Sequence, residues 1–117
     1  MAYVTTTQLS QRLGSGMYAR LTDRVNGTTP DDDVGQQIID EAEALANGYL
    51  ARRYAVPVDL SSYPELANVL AVRVLDLAEY GAWKSSPFVA DPPSRVQTLL
   101  TNATKWFEDV ATRRLVL

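Results

Sequence analysis

Apolar residues along this chain recur at helical spacing, and almost nothing alternates as a half-buried strand would. Four segments carry the pattern. The first is short: Thr5, Thr6 or Thr7 can cap it, Leu9 and Leu13 stand four apart, and Gly14 stops it, which predicts a helix over 6–13. The second starts in Asp31, Asp32 and Asp33. Val34, Ile38, Ala42, Leu45 and Tyr49 then recur every three or four residues, with Ile39, Ala46 and Leu50 beside them, which predicts a helix over 31–53. Aspartates at its start and Arg52–Arg53 at its finish suit the helix dipole. Gly48 lies inside it at a cost of about 1 kcal/mol relative to Ala. Close approach by another backbone and simple tolerance both account for that glycine.

The third helix, over 64–81, has Pro64 in its first turn and is apolar nearly all round. At helical spacing Glu65, Asn68, Arg73, Asp76 and Glu79 fall in one arc of roughly 140°, and the remainder is expected to be buried. Val69 and Val72 interrupt that polar arc. The fourth, over 93–112, can be capped by Asp91 or Ser94, with prolines in its first turn. Val96, Leu99, Leu100, Ala103, Trp106, Phe107 and Val110 form one stripe, opposite Gln97, Thr101, Asn102, Lys105 and Glu108. Between the first two helices, a glycine-containing stretch with Met17, Tyr18 and Leu21 as anchors reads as an irregular but ordered connection. After the second, Val56 and Tyr63 each precede a proline and should be extended. The expectation is an all-α fold: a small bundle of about four helices in one domain, 1–117, with ordered loops and a short C-terminal arm, 113–117.

Composition narrows the chemistry. There is no cysteine and no histidine, so thiol nucleophiles, thiolate metal sites, His-based triads and the commonest zinc ligand are all excluded. Formal charge is −3, where a free-standing nucleic-acid binder is more often basic. No apolar run approaches the roughly 20 residues that span a bilayer, and the N-terminal stretch lacks the basic start and apolar middle of a signal peptide. A soluble chain made in the cytoplasm is expected.

The stretch 21–37 invites a metal reading because of its glycine turn and its three aspartates. A calcium loop of the EF-hand kind wants oxygen ligands at positions 1, 3 and 5 and Gly at 6. Counted from Asp23, position 3 is Val25, position 5 is Gly27 and position 6 is Thr28; counted from Asp31, position 5 is Gly35, inside a helix. Both registers fail, and the aspartates read as a helix cap. Asp40, Glu41 and Glu43 read as a solvated helix face, since nothing supplies a pocket that would make them an acid–base pair. The Gly-Ser-Gly at 14–16 lacks the third glycine and the preceding strand of a phosphate-binding turn. No catalytic, cofactor or metal residue is therefore assigned, and no enzyme is expected. What a monomer leaves unexplained is apolar: Val69 and Val72, Trp83 in a loop just past the third helix, Phe88 in a proline-flanked loop, and Leu115, Val116 and Leu117. Together they point to contact surfaces for other chains.

The order of short signatures resembles the Mu-type phage head–tail adaptor family, also called head-completion or connector proteins. The matching pieces are Tyr-Val-Thr-x-x-x-Leu-x-x-Arg-Leu-Gly at 3–14, Leu-Thr-Asp-Arg at 21–24, Gly-Tyr-Leu-Ala-Arg-Arg-Tyr-Ala-Val-Pro at 48–57, and a Pro-led helix ending Leu-Ala-Glu-Tyr-Gly-Ala-Trp at 77–83. The resemblance implies a structural virion protein at the neck, made in the host cytoplasm. Such subunits form a ring, commonly a dodecamer, beneath the portal protein. The ring extends the DNA channel without reading sequence and offers a docking surface to the stopper or tail-completion protein. On this reading Arg113 and Arg114 join Leu115, Val116 and Leu117 in an arm that reaches a neighbour or the portal. No cofactor and no membrane are implied. The alternative is a generic soluble helical interaction module, such as a small regulator or antitoxin-like partner. It predicts a monomer or dimer with one partner and no ring. A third reading, a metal-dependent hydrolase, predicts divalent-metal binding at Asp31, Asp32 and Asp33.

Overall fold

In a computed structural model of the chain, residues 3–52, 54, 56, 67–87 and 91–112 are described; among them are five helices and no strand. These are α1 (Thr6–Leu13), α2 (Ser15–Thr22), α3 (Asp32–Leu50), α4 (Ala67–Ser85) and α5 (Ser94–Ala111). The long helices α3, α4 and α5 pack on one another, and the two short ones close one side of them. The core is built from Leu9, Tyr18, Leu21, Ile39, Leu50, Leu70, Val74, Val96, Phe107 and Val110, all fully buried. Phe107 stacks on Tyr49 at 6.1 Å between ring centroids and meets Trp106 edge-on at 5.1 Å, which joins α5 to the C-terminal end of α3.

Thr5 is the cap of α1. Its hydroxyl accepts from the Gln8 amide (3.2 Å) while the Gln8 side chain accepts from the Thr5 amide (2.8 Å), satisfying two end-of-helix donors reciprocally. Gly14 ends the helix at φ +86°, a backbone that an L side chain adopts only under strain, and the same residue starts the next helix. The stretch expected to be an irregular connection is thus a second helix, α2. Only two turns and two glycines hid it, and burial of Tyr18, Ala19, Leu21 and Thr22 along one face outweighs that weak propensity.

Asp31 caps α3, its carboxylate accepting from the amides of Asp33 (3.0 Å) and Val34 (3.2 Å), as expected of the aspartate run. The helix ends at Leu50, so Arg52 lies in the turn beyond its last residue; Arg53 is outside the described residues. The start expected for α4 at Pro64 also falls outside them. Its far end does not stop at Gly81 but runs on to Ser85. Gly81 faces α3, where a Cβ would lie at ordinary contact distance, 3.6 Å, from the Ile38 side chain, and the helix continues through it. Trp83, expected in a loop, therefore sits inside α4 and is buried; its indole N–H has no partner among the described residues. Neither Asp91 nor Ser94 caps α5. Pro93 occupies the cap position, and the Gln97 side chain donates to the Pro92 carbonyl at 3.0 Å.

Two glycines of α3 separate packing from tolerance. A Cβ on Gly35 would lie 2.2 Å from the Tyr18 hydroxyl, which donates to Asp32 at 2.8 Å. Among the described residues, nothing lies within 4 Å of a Cβ placed on Gly48, so no other described backbone approaches it. Gly35→Ala should displace the Tyr18 ring and destabilise the fold by about 1–3 kcal/mol, whereas Gly48→Ala should stabilise it by about 0.5–1 kcal/mol. Denaturant unfolding of the two variants beside the parent checks both signs.

Candidate contact surfaces

The N-terminal segment is tied down by a residue expected on a solvated helix face. Glu43 of α3 is buried, and its carboxylate accepts from the backbone amides of Tyr3 and Val4, the latter at 3.2 Å. The Tyr3 hydroxyl donates to Asn47 one turn further on, at 2.6 Å. Asp40 and Glu41, by contrast, are exposed as expected. The periodic spacing of Glu43 with Ala46 and Leu50 was the available signal, because all three lie on the buried face of α3.

A second correction lies on α4. Asp76 and Glu79 were expected on a solvent-facing arc, yet both are buried. Arg12, in the last turn of α1, covers them. Its guanidinium bonds Asp76, approaches Glu79 at 3.3 Å and donates to the Val72 carbonyl at 3.3 Å. Arg73 lies 3.6 Å from Asp76, and Arg95 of α5 lies 2.9 Å from Glu79. Removing a carboxylate from water costs several kcal/mol, and only several well-placed cation contacts offset it. Here three guanidiniums serve two carboxylates, which leaves one positive charge in surplus on a chain of net charge −3.

That cluster borders an apolar opening. Towards the N-terminal end of α4, Val69 and Val72 stand 39% and 48% exposed on the same arc that Arg12 covers further along. Leu99 of α5, Asn68, Arg12, Arg73 and Asp76 complete this shallow groove. Of the expected contact residues, then, Val69 and Val72 come together on one surface. Trp83 is buried further along α4, while Phe88, Arg113, Arg114, Leu115, Val116 and Leu117 lie outside the described residues. A second apolar surface was not anticipated. Leu45, expected in the buried stripe of α3, is 47% exposed, beside Glu41, Ala42, Tyr80 and Leu100. It sits at the edge of an amphipathic face, where periodicity alone does not separate rim from core.

The 21–37 stretch resolves into polar ties with separate duties. The buried Thr22 hydroxyl donates to the Tyr18 carbonyl (2.7 Å) and accepts from the Asp31 amide (3.0 Å), joining the end of α2 to the start of α3. One oxygen of Asp23 accepts from the amides of Val25 (3.0 Å) and Asn26 (3.1 Å), the other from those of Thr28 (3.2 Å) and Thr29 (3.0 Å). Gly27, at φ +72°, allows the chain to wrap around that carboxylate. The amides of Asn26, Thr29 and Thr28 hold the Asp23 carboxyl well below the usual carboxylate range. Burial, then the bond to Asp32, pushes the Tyr18 hydroxyl above its ordinary value, so it remains a donor. Asp31, Asp32 and Asp23 each face their own donors, and no group of three or more carboxylates able to hold a metal occurs among the described residues.

With this geometry in place, the comparison with known families is specific. A family profile described as "Bacteriophage Mu, Gp36" matches residues 3–117, and the chain belongs to that family. Membership places it among bacteriophage proteins and favours a structural or morphogenetic role. No curated protein matches it significantly. No helix among the described residues is long and apolar enough to cross a membrane.

Arg12→Ala would leave Asp76 and Glu79 buried with weaker partners and should cost roughly 3 kcal/mol or more in thermal or denaturant unfolding. Arg95→Ala removes a cation that is 67% exposed and should cost less than about 1 kcal/mol. The Asp23 carboxyl is depressed by the folded loop, so its contribution is complete above the ordinary Asp range and is lost only as pH falls through the depressed value. Asp23→Asn should speed amide exchange at Val25, Asn26, Thr28 and Thr29 while leaving α3 protected.

Proposed function

We propose that this chain is a head–tail connector subunit, which assembles as a ring beneath the portal, extends the DNA channel and offers a docking surface to the stopper or tail. The observation that carries the reading is the exposed Val69–Val72 pair on a member of a phage family. A heterologous contact between two different patches of one subunit closes into a ring when its rotation permits. Net negative charge suits a conduit, because an acidic lumen repels the DNA backbone and lets it slide, whereas a basic one would hold it. The segment 113–117, with two arginines followed by three apolar residues, is the part assigned to the portal or a neighbour.

Val72→Glu should weaken assembly in mass measurements made with portal present, with helix content unchanged by circular dichroism. Unaltered assembly would remove this surface from the ring. Deleting residues 113–117 should leave a folded subunit that no longer co-sediments with portal, and normal co-sedimentation would rule out the arm. A parent chain that binds a single partner as a monomer or dimer, without any ring, would favour the generic interaction module.

A further inference from the structure

We infer that the ring contact, on the reading just proposed, is made between the Val69–Val72 groove of one copy and the Glu41–Leu45 face of α3 on the next. The occupant of the groove is thus a second copy of this chain. Both surfaces are open in the subunit: Val69 and Val72 are 39% and 48% exposed, and Leu45 is 47% exposed. They share no lining residue, one drawing on α1, α4 and α5 and the other on α3, α4 and α5, as a head-to-tail contact requires.

Charge argues for this partner. The groove is lined by Arg12 and Arg73, whose side chains are 26% and 32% exposed, over the buried carboxylate of Asp76, so the charge it presents outward is positive. The α3 face is bordered by the exposed carboxylate of Glu41. Valines beside partly exposed arginines on one surface thus meet a leucine beside glutamate on the other. Either surface against itself would set like charges together, and that repulsion disfavours a symmetric pairing of grooves or of α3 faces. The exposed small residue Ala44, with open space around Gly48 on the next turn, lets a neighbouring helix come close to α3 beside Leu45.

The test uses the full chain with Val72→Glu and Leu45→Lys made separately, each folded by circular dichroism and thermal melting. Mass is read by sedimentation velocity, alone and with portal present. Each variant alone should lose assembly, with the apparent association constant falling at least about tenfold, because each places an unpaired charge in an apolar contact. An equimolar mixture should recover it. In alternating order, the glutamate introduced in one variant meets the lysine introduced in the other, and the remaining contact in each repeat is the native valine–leucine pair. Glu41→Lys supplies a second variant on the α3 side, at an exposed position, and should also weaken assembly. Variants that assemble normally, or single losses that mixing does not restore, would overturn this pairing while the connector reading stands. A parent chain that never self-associates, with or without portal, would overturn both.

Discussion

The guanidinium of Arg12 is the constraint on which the arrangement of the short helices depends. Two carboxylates three residues apart on α4 are buried, and their charge is tolerable only where a cation is delivered to them. α1 delivers it from its last turn, and the same guanidinium reaches the carbonyl of Val72. The consequence runs in both directions. Arg12 fixes where α1 lies on α4, and α1 in turn decides how much of the α4 arc is covered. Coverage reaches Asp76 and Glu79 but leaves the arc open at Val69 and Val72, so the internal clamp and the candidate external surface are two parts of one stripe.

Around that clamp, the N-terminal third is held by polar ties as much as by apolar packing. Glu43 receives the backbone amides of Tyr3 and Val4, Asn47 receives the Tyr3 hydroxyl, and Thr22 joins the end of α2 to the cap of α3. Each bond to a buried charged or backbone group is worth more than a solvated one, because its loss strands a desolvated partner. The short signatures that mark the family resemblance coincide with these ties. Within 3–14 the named residues include a tethered tyrosine, a buried valine, a helix cap, a core leucine, the clamp arginine and a positive-φ glycine.

Much of the fold was legible because it rests on local rules. The stop at Gly14, the Asp31 cap and the clean face of α5 follow from backbone geometry and amphipathic period. What was not legible is non-local. α2 has too few turns to show a period and is made by burial. Glu43, Asp76 and Glu79 carry charges that composition assigns to solvent, and it is mainly partners 16 to 67 residues away that make their burial tolerable. For the contact surfaces, the break in polar patterning found Val69 and Val72. Leu45 escaped because an apolar residue at the rim of an apolar face breaks no pattern, and Trp83 misled because the end of α4 was set one turn too early.

The loop held by Asp23 separates frame from display. Its shape is written in main-chain amides, one carboxylate and one glycine, so the side chains of Val25, Asn26, Thr28 and Thr29 carry none of those four bonds. Val25 stands 81% exposed at the head of this frame. Those four positions can therefore be rewritten without refolding the loop or disturbing the start of α3. A chain built this way can change what it presents at that end of the molecule, and so which surface it suits, at almost no cost to its own stability.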